Sequence, residues 1–531
     1  QTCALPILSA AFLDAREALT DRVLHSSVCI IGAGAAGITL ARRLAGRAPD
    51  VLLIESGALH LDPATQYLYA GENIGLPYYD LMSSRLRYFG GSTNHWGGYC
   101  RANDPIDYDG RPDLEVPAWP VDYQTLQPYV EQAAAELHLD DPFPDIRAIL
   151  PQVGLSSDDL LDGANSGLET KTFAVTERLR FADIYADDLA TQRNLRVVLN
   201  LNVVHVALDP TGRVVDHLVA RTLTGERFEL RAQLFVLACH AIENARLLLA
   251  SNDVQPAGIG NSYDHVGRYF MEHAHLQASR FYPTSRFPVL YSRPVLAPHN
   301  FNANLGLDET VKRRLGILQY YCRFQPVFAE PHVEVAARRA FRSLMEPVDR
   351  QFIEDVLTTL TNLDDIRQVM EREIGLDRQP LYYELQHRIE QAPNPNSRVT
   401  LNDEERDVLG LPHANLHWEL NELDRRTFER GQEFIVQELS ARGLGRVAVE
   451  EMTEELIDAR VAGHWHHIGT TRMSAAPKDG VVDRDCRVHG VENLYIAGSS
   501  VFPTAGYSGP TMMLMALAMR LADEIGRRFD G

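Results

Sequence analysis

A buried strand that runs straight into a glycine loop and then a helix leaves a chain few folds to choose from, and this sequence has one near its start. Val28-Cys29-Ile30-Ile31 is a continuous apolar run suited to a parallel strand covered on both faces. Gly32-Ala33-Gly34-Ala35-Ala36-Gly37 follows at once. In a GxGxxG so placed, Gly32 permits the tight turn, Gly34 lets backbone approach a pyrophosphate, and Gly37 lets a helix over residues 38–44 sit against the strand. The helix start, with Ala35 and Ala36, then faces the phosphates. A second apolar strand, Val51-Leu52-Leu53-Ile54, ends in Glu55, which lies 55 − 37 = 18 residues beyond the last glycine. An acid there can accept ribose hydroxyls, so Glu55 and the adjoining Ser56 are candidate contacts. A lone GxGxxG is weak, but strand, glycines, helix, strand and acid together point to a dinucleotide. The position near the N-terminus favours FAD over NAD.

The chain has 531 residues, 45% of them hydrophobic, enough for two packed domains with a large core. A net charge of -21 works against binding nucleic acid or anionic lipid. The six cysteines show no CxxC spacing, which signals neither zinc nor a disulfide framework. No apolar run approaches the roughly 18 residues of a membrane span. The expected compartment is the cytoplasm, with export left open because the first residues need not be the natural start.

Short alternating strands over 203–206, 214–222 and 228–230, separated by turn signals, predict a meander inserted in the nucleotide fold. A further buried strand over 234–239, carrying Ala238, and a helix over 243–249 follow it. From Leu276 to about Thr453 come aromatic and Pro-containing loops, a charged helical stretch over 333–374, and a strand over 397–401. The expected class is α/β. It combines a discontinuous Rossmann-like FAD-binding domain with a β-meander (22–105, 185–275 and 455–531) and an α+β substrate domain (106–184 and 276–454).

Tyr88-Phe89-Gly90-Gly91-Ser92-Thr93-Asn94-His95-Trp96-Gly97-Gly98 holds four glycines around a polar centre, a loop composition that lets backbone approach a ligand. Near the C-terminus stand His464-Trp465-His466-His467-Ile468-Gly469-Thr470 and Leu494-Tyr495-Ile496-Ala497-Gly498-Ser499. Together these segments resemble the glucose-methanol-choline oxidoreductases, especially the bacterial branch related to pyranose and glycoside oxidases. The resemblance implies FAD as cofactor, His466 as the active-site base, and flavin contacts from Gly91, Ser92, Asn94, His95, Trp96, Gly97 and Gly98. It further implies contacts from Gly498 and Ser499, and an adenine contact at Val203 or Val204. His95 matches the residue to which FAD is covalently attached in members that carry such a bond; many relatives with a similar loop carry none.

Alcohol oxidation needs a base for the hydroxyl proton and a hydride acceptor; imidazole suits the first and flavin N5 the second. Pro510-Thr511 opens an apolar stretch whose helix start could stabilise reduced flavin. The pattern breaks at Gly509, where relatives usually carry His or Asn. Either Tyr507 or Ser508 substitutes, a residue from elsewhere reaches in, or His466 acts alone. His240 stands where relatives usually have Gly. The gathered histidines lack the carboxylate or cysteine partners of a metal site, so no metal is expected. A sugar or glycoside hydroxyl is the implied donor, with oxygen, a quinone or another acceptor reoxidising the flavin. The middle aromatics Phe281, Tyr282, Tyr291, Tyr320, Tyr321 and Phe324 would stack on it or fill the core. The alternative on this fold is a lyase using His466 as acid and base without redox chemistry.

Overall fold

The computed structural model describes residues 12–17, 19–139, 145–163, 166–285, 287–292, 300–328 and 380–530. The helical stretch expected over 333–374 lies outside them. Val23–Ile31 is the middle strand of a sheet ordered Phe12–Asp14, Leu195–Leu199, Val51–Ile54, Val23–Ile31, Arg227–Leu237, Val215–Arg221, Asn202–Leu208. Its pairings with Val51–Ile54 and Arg227–Leu237 are parallel, Val28 standing opposite Val51 and Leu234. Val28, Ile30, Val51 and Leu53 are fully buried, which is why these strands read as unbroken apolar runs.

The meander is present, but its last strand and the buried strand expected after it are one, Arg227–Leu237. Its first half pairs antiparallel with Val215–Arg221 and its second half parallel with Leu494–Ile496. Arg231, Ala232 and Gln233, between the two expected strands, lie half-buried or exposed where the strand changes partner.

A second, wholly antiparallel sheet runs Gly445–Ala448, His275–Pro283, Tyr382–Ile389, Tyr320–Val327, Phe301–Leu307, Leu168–Val175, Tyr99–Cys100. Alternation along its strands puts Leu305, Cys322 and Leu385 in the core and turns Asn302, Asn304, Tyr321, Arg323 and Arg388 to the opposite face. Of the six middle aromatics only Tyr321 lines a cavity; Phe281, Tyr291, Tyr320 and Phe324 are core, and Tyr282 is exposed. A small third sheet joins Gly71–Asn73 to Pro412–His417 and Arg398–Arg406, and so ties together segments assigned above to different domains. Phe12–Asp14, ahead of residue 22, edges the nucleotide sheet. The two-domain division remains our proposal. Among the described residues no helix is long and apolar enough to cross a membrane.

The helix Ala35–Leu44 springs from the glycine loop and packs against the C-terminal helix Thr511–Arg527. Gly32 has φ +101, and a Cβ on Gly37 would stand 1.8 Å from the Gly32 carbonyl oxygen. Close helix-to-strand contact therefore depends on hydrogen at that position. Gly37→Ala should cost about 1–3 kcal/mol through forced backbone displacement and lower the FAD content of the purified protein. Thermal melting and flavin absorbance check this.

Candidate active site

Both large sheets contribute to one cavity of 700 Å³, toward the upper part of the roughly 300–1,000 Å³ usual for ligand sites. Gly32, Gly34, Ala35, Ala36, Glu55 and Ser56 line one end, with Val204 and Ala238. The loop residues Gly91, Ser92, His95, Trp96, Gly97 and Gly98 line it too, as do Gly498, Ser499, Pro510 and Thr511. Gly37 lies behind Gly32 rather than on the wall. Asn94 is also off the wall; its Nδ2 donates to the Phe89 carbonyl at 2.9 Å and holds the loop in shape.

Glu55 is buried and accepts from the Ala33 amide (2.8 Å) and the Gly57 amide (2.9 Å), so it first braces the glycine loop. Burial pushes its carboxyl upward against those bonds. Beside it, Ser56 bonds Asn202 and accepts from Arg87 Nε at 2.6 Å. Arg85, Arg87 and Arg246 converge on Glu243 at 2.9, 3.1 and 3.1 Å, and Arg246 also pairs with Asp407 at 2.7 Å. Burial would raise the Glu243 carboxyl, but the three guanidiniums overcome it and hold it at about 2. Sequence reading missed this cluster, whose members come from three separate segments; only Glu243 and Arg246, one helical turn apart, were visible together.

These features fit a bound FAD. A Cβ on Gly34 or on Gly498 would meet no protein atom within 4 Å, so both glycines face open space, unlike Gly32 and Gly37. The helices Ala35–Leu44 and Thr511–Arg527 both begin at the cavity wall, where their unpaired N–H groups favour anionic groups. His240, lining the cavity with its Nδ1 buried and without a protein partner, has φ +80, a backbone conformation that suits the glycine expected there. Burial drops its imidazole to about 3.

At the other end the loop carrying His464 to His467 is organised by Glu272, which is fully buried. Glu272 Oε2 accepts from the amides of His464 (3.0 Å), His466 (3.0 Å) and His273 (3.2 Å), while Oε1 accepts from the Tyr78 hydroxyl. Burial pushes its carboxyl up to about 7, with the Tyr78 and amide bonds pulling the other way.

His273, absent from the sequence reading, is the residue that touches His466, at 2.7 Å between the two Nδ1 atoms. Its Nε2 lies 3.0 Å from the Ala505 carbonyl oxygen, which can only accept. His273 therefore carries its proton on Nε2 and accepts at Nδ1. His466 must then donate from Nδ1, leaving the Nε2 lone pair unprotonated. Gly509 lies beside it, a Cβ there falling 3.9 Å from His466 Nε2. Burial first, then the neighbouring His273 and Arg388, keep His466 neutral well below the ordinary histidine range.

Tyr507 lines the cavity, but its hydroxyl is spent, accepting from Arg101 and donating to Asp104 at 3.0 Å. Ser508 is buried off the cavity, its Oγ without a hydrogen-bond partner. Neither takes the place of a side chain at Gly509. His467 bonds Tyr78 at 2.8 Å, and His464 Nδ1 bonds the His273 carbonyl at 3.0 Å. Among the described residues no three His, Cys, Asp or Glu side chains gather as metal ligands.

With this geometry in hand, the family comparisons agree. Residues 27–351 match the FAD-dependent oxidoreductase family and residues 393–518 match the GMC oxidoreductase family. The chain belongs to the FAD-dependent oxidoreductases, in their glucose-methanol-choline branch. It is 23% identical to 2-methyl-1,2-propanediol dehydrogenase of Mycolicibacterium austroafricanum, over 96% of this chain and 97% of that protein. A shorter stretch, 24% of this chain and 25% of the relative, is 33% identical to C-glycoside 3-oxidase of Microbacterium trichothecenolyticum. A crystal structure of formate oxidase shares the fold with a TM-score of 0.57 at 16% identity, covering 96% of this chain and 99% of the other.

The tautomer that His273 imposes on His466 can be tested by substitution. His273→Phe should slow flavin reduction by about 10- to 100-fold, the loss of one buried hydrogen bond to the base. His273→Gln, which can donate to Ala505 and accept from His466, should recover most of it. Rapid-mixing kinetics of the two variants check this.

Proposed function

We propose that the protein oxidises an alcohol, with a sugar or glycoside hydroxyl as the favoured donor class, and that His466 takes the hydroxyl proton. The observation that carries this reading is the His273–His466 pair, whose bonding leaves His466 Nε2 as an open acceptor on the cavity wall. Gly32, Gly34, Glu55, the loop from Gly91 to Gly98, Gly498, Ser499 and Thr511 would hold FAD. When bound, FAD supplies a two-electron acceptor that takes hydride at flavin N5. The chain's own part is acid-base: Nε2 receives the hydroxyl proton as the carbon loses hydride, so an alcohol becomes a carbonyl and the proton stays on imidazole. His466 itself is half-buried on the cavity wall. Oxygen, a quinone or another acceptor would complete the cycle. The names of the curated relatives, a diol dehydrogenase and a glycoside oxidase among them, support the CH-OH donor class.

The test is anaerobic mixing of the FAD-loaded enzyme with sugars, glycosides and simple alcohols. Bleaching of the oxidised flavin by a member of the panel is expected; product without bleaching would replace the oxidation by a lyase reaction. Because His466 is held neutral well below pH 6.5, its imidazole should not titrate as pH falls through 6.5; a change in bleaching near pH 7 would instead report protonation of Glu272. The same preparation decides the His95 linkage. Acid precipitation leaves flavin colour in the pellet if the bond exists, and His95→Ala then releases it; colour in the wild-type supernatant excludes the bond.

A further inference from the structure

The wall facing His466 is the inner face of the antiparallel sheet, and it carries two arginines. Asn302, Asn304, Tyr321, Arg323 and Arg388 line it. The carboxylates on the whole cavity wall are Glu55, Glu243 and Asp407 among the described residues, all at the dinucleotide end and all engaged as described above. Glu384, the acid on Arg388's own strand, is bonded to Gln277 and does not line the cavity. Glu390, two residues beyond Arg388, accepts from the Gly506 amide at 3.0 Å and lines a separate small cavity.

Arg388 itself is half-buried and, among the described residues, hydrogen-bonds only neutral side chains. Nε and Nη2 donate to Gln386 Oε1 at 3.2 and 2.7 Å, and Nη1 donates to the Tyr321 hydroxyl at 3.3 Å. A guanidinium carries five N–H donors, one on Nε and two on each terminal nitrogen. Three are thus used, and one remains on each terminal nitrogen, a pair able to take both oxygens of a carboxylate or of a phosphate. Gln386 and Tyr321 fix the plane of the fork, so little freedom is lost on binding. The charge is felt at the nearby imidazoles, since Arg388 disfavours protonation of His273, His275, His464 and His466.

We infer that the alcohol this enzyme oxidises also bears an anionic group, a carboxylate or phosphate, which Arg388 binds while the hydroxyl faces His466. The inference rests on the proposed alcohol oxidation and narrows its donor to acidic sugars and other hydroxy acids or phosphorylated alcohols. Asn302 and Asn304 on the same wall offer neutral donors and acceptors to the remaining hydroxyls.

The experiment titrates the FAD-loaded enzyme with matched pairs, methyl glucuronide against methyl glucoside and glucose 6-phosphate against glucose. It reads both the flavin absorbance change on binding and anaerobic bleaching. An anion should be preferred by about 10- to 100-fold over its neutral partner, the worth of a charge-assisted bond. Which pair shows the preference separates carboxylate from phosphate. In R388Q the ratio should fall toward one, and R388K should keep part of it. Equal binding of charged and neutral partners by the wild type overturns the inference whether or not R388Q folds, as does an unchanged ratio in a folded R388Q. Selective binding of an anion with no bleaching by any donor would leave the anion site standing and sink the oxidation reading instead.

Discussion

One buried carboxylate, Glu272, holds the catalytic end together. Its Oε2 gathers the amides of His273, His464 and His466, so two loops distant in sequence share a single acceptor. Those amides sit away from solvent, where each unsatisfied N–H would cost about 1–3 kcal/mol. Fixing both backbones on one oxygen fixes the approach of the two imidazoles. The Ala505 carbonyl then orders the protons along the pair, and an open acceptor emerges at His466 Nε2. A missing side chain at Gly509 does not disturb that chain of bonds, which reaches His466 from the other side of the ring.

The cavity is divided by charge. At the dinucleotide end three arginines surround Glu243, one of them also pairing with Asp407, and the two helix starts add their partial positive charge, a setting suited to phosphates. At the His466 end the histidines are neutral through burial, and the positive charge lies on the sheet wall across from them. Binding and proton transfer are thus assigned to different elements. In the proposed reading, backbone glycines and helix ends serve the cofactor, and the antiparallel sheet face serves the donor.

The nucleotide fold was legible because its signals are local: an apolar strand, glycines with separate jobs, a helix and an acid all lie within about thirty residues of sequence. Gly34 faces open space and Gly37 packs on Gly32 as that pattern requires. The long strand Arg227–Leu237 was split because its polar middle looks like a turn, and only the arrival of Leu494–Ile496 as a new partner explains it. His466 was singled out through resemblance. Glu272, His273 and Arg388 were not, since their importance arises from contacts across 193 residues, as for His273 with His466, and from a sheet alternation hidden among core aromatics. Tyr507 was read as a catalytic candidate by adjacency to Gly509, whereas its hydroxyl is turned into the Arg101 and Asp104 bonds.

The most direct test of the account is the single-turnover rate of flavin reduction, measured anaerobically with a donor that bleaches the wild type, in the wild type and in His466→Ala. Loss of a positioned base should slow reduction by about 10²–10⁴-fold while the flavin spectrum and donor binding persist. Reduction at an undiminished rate in a folded, FAD-loaded His466→Ala would contradict the assignment of His466 as the base.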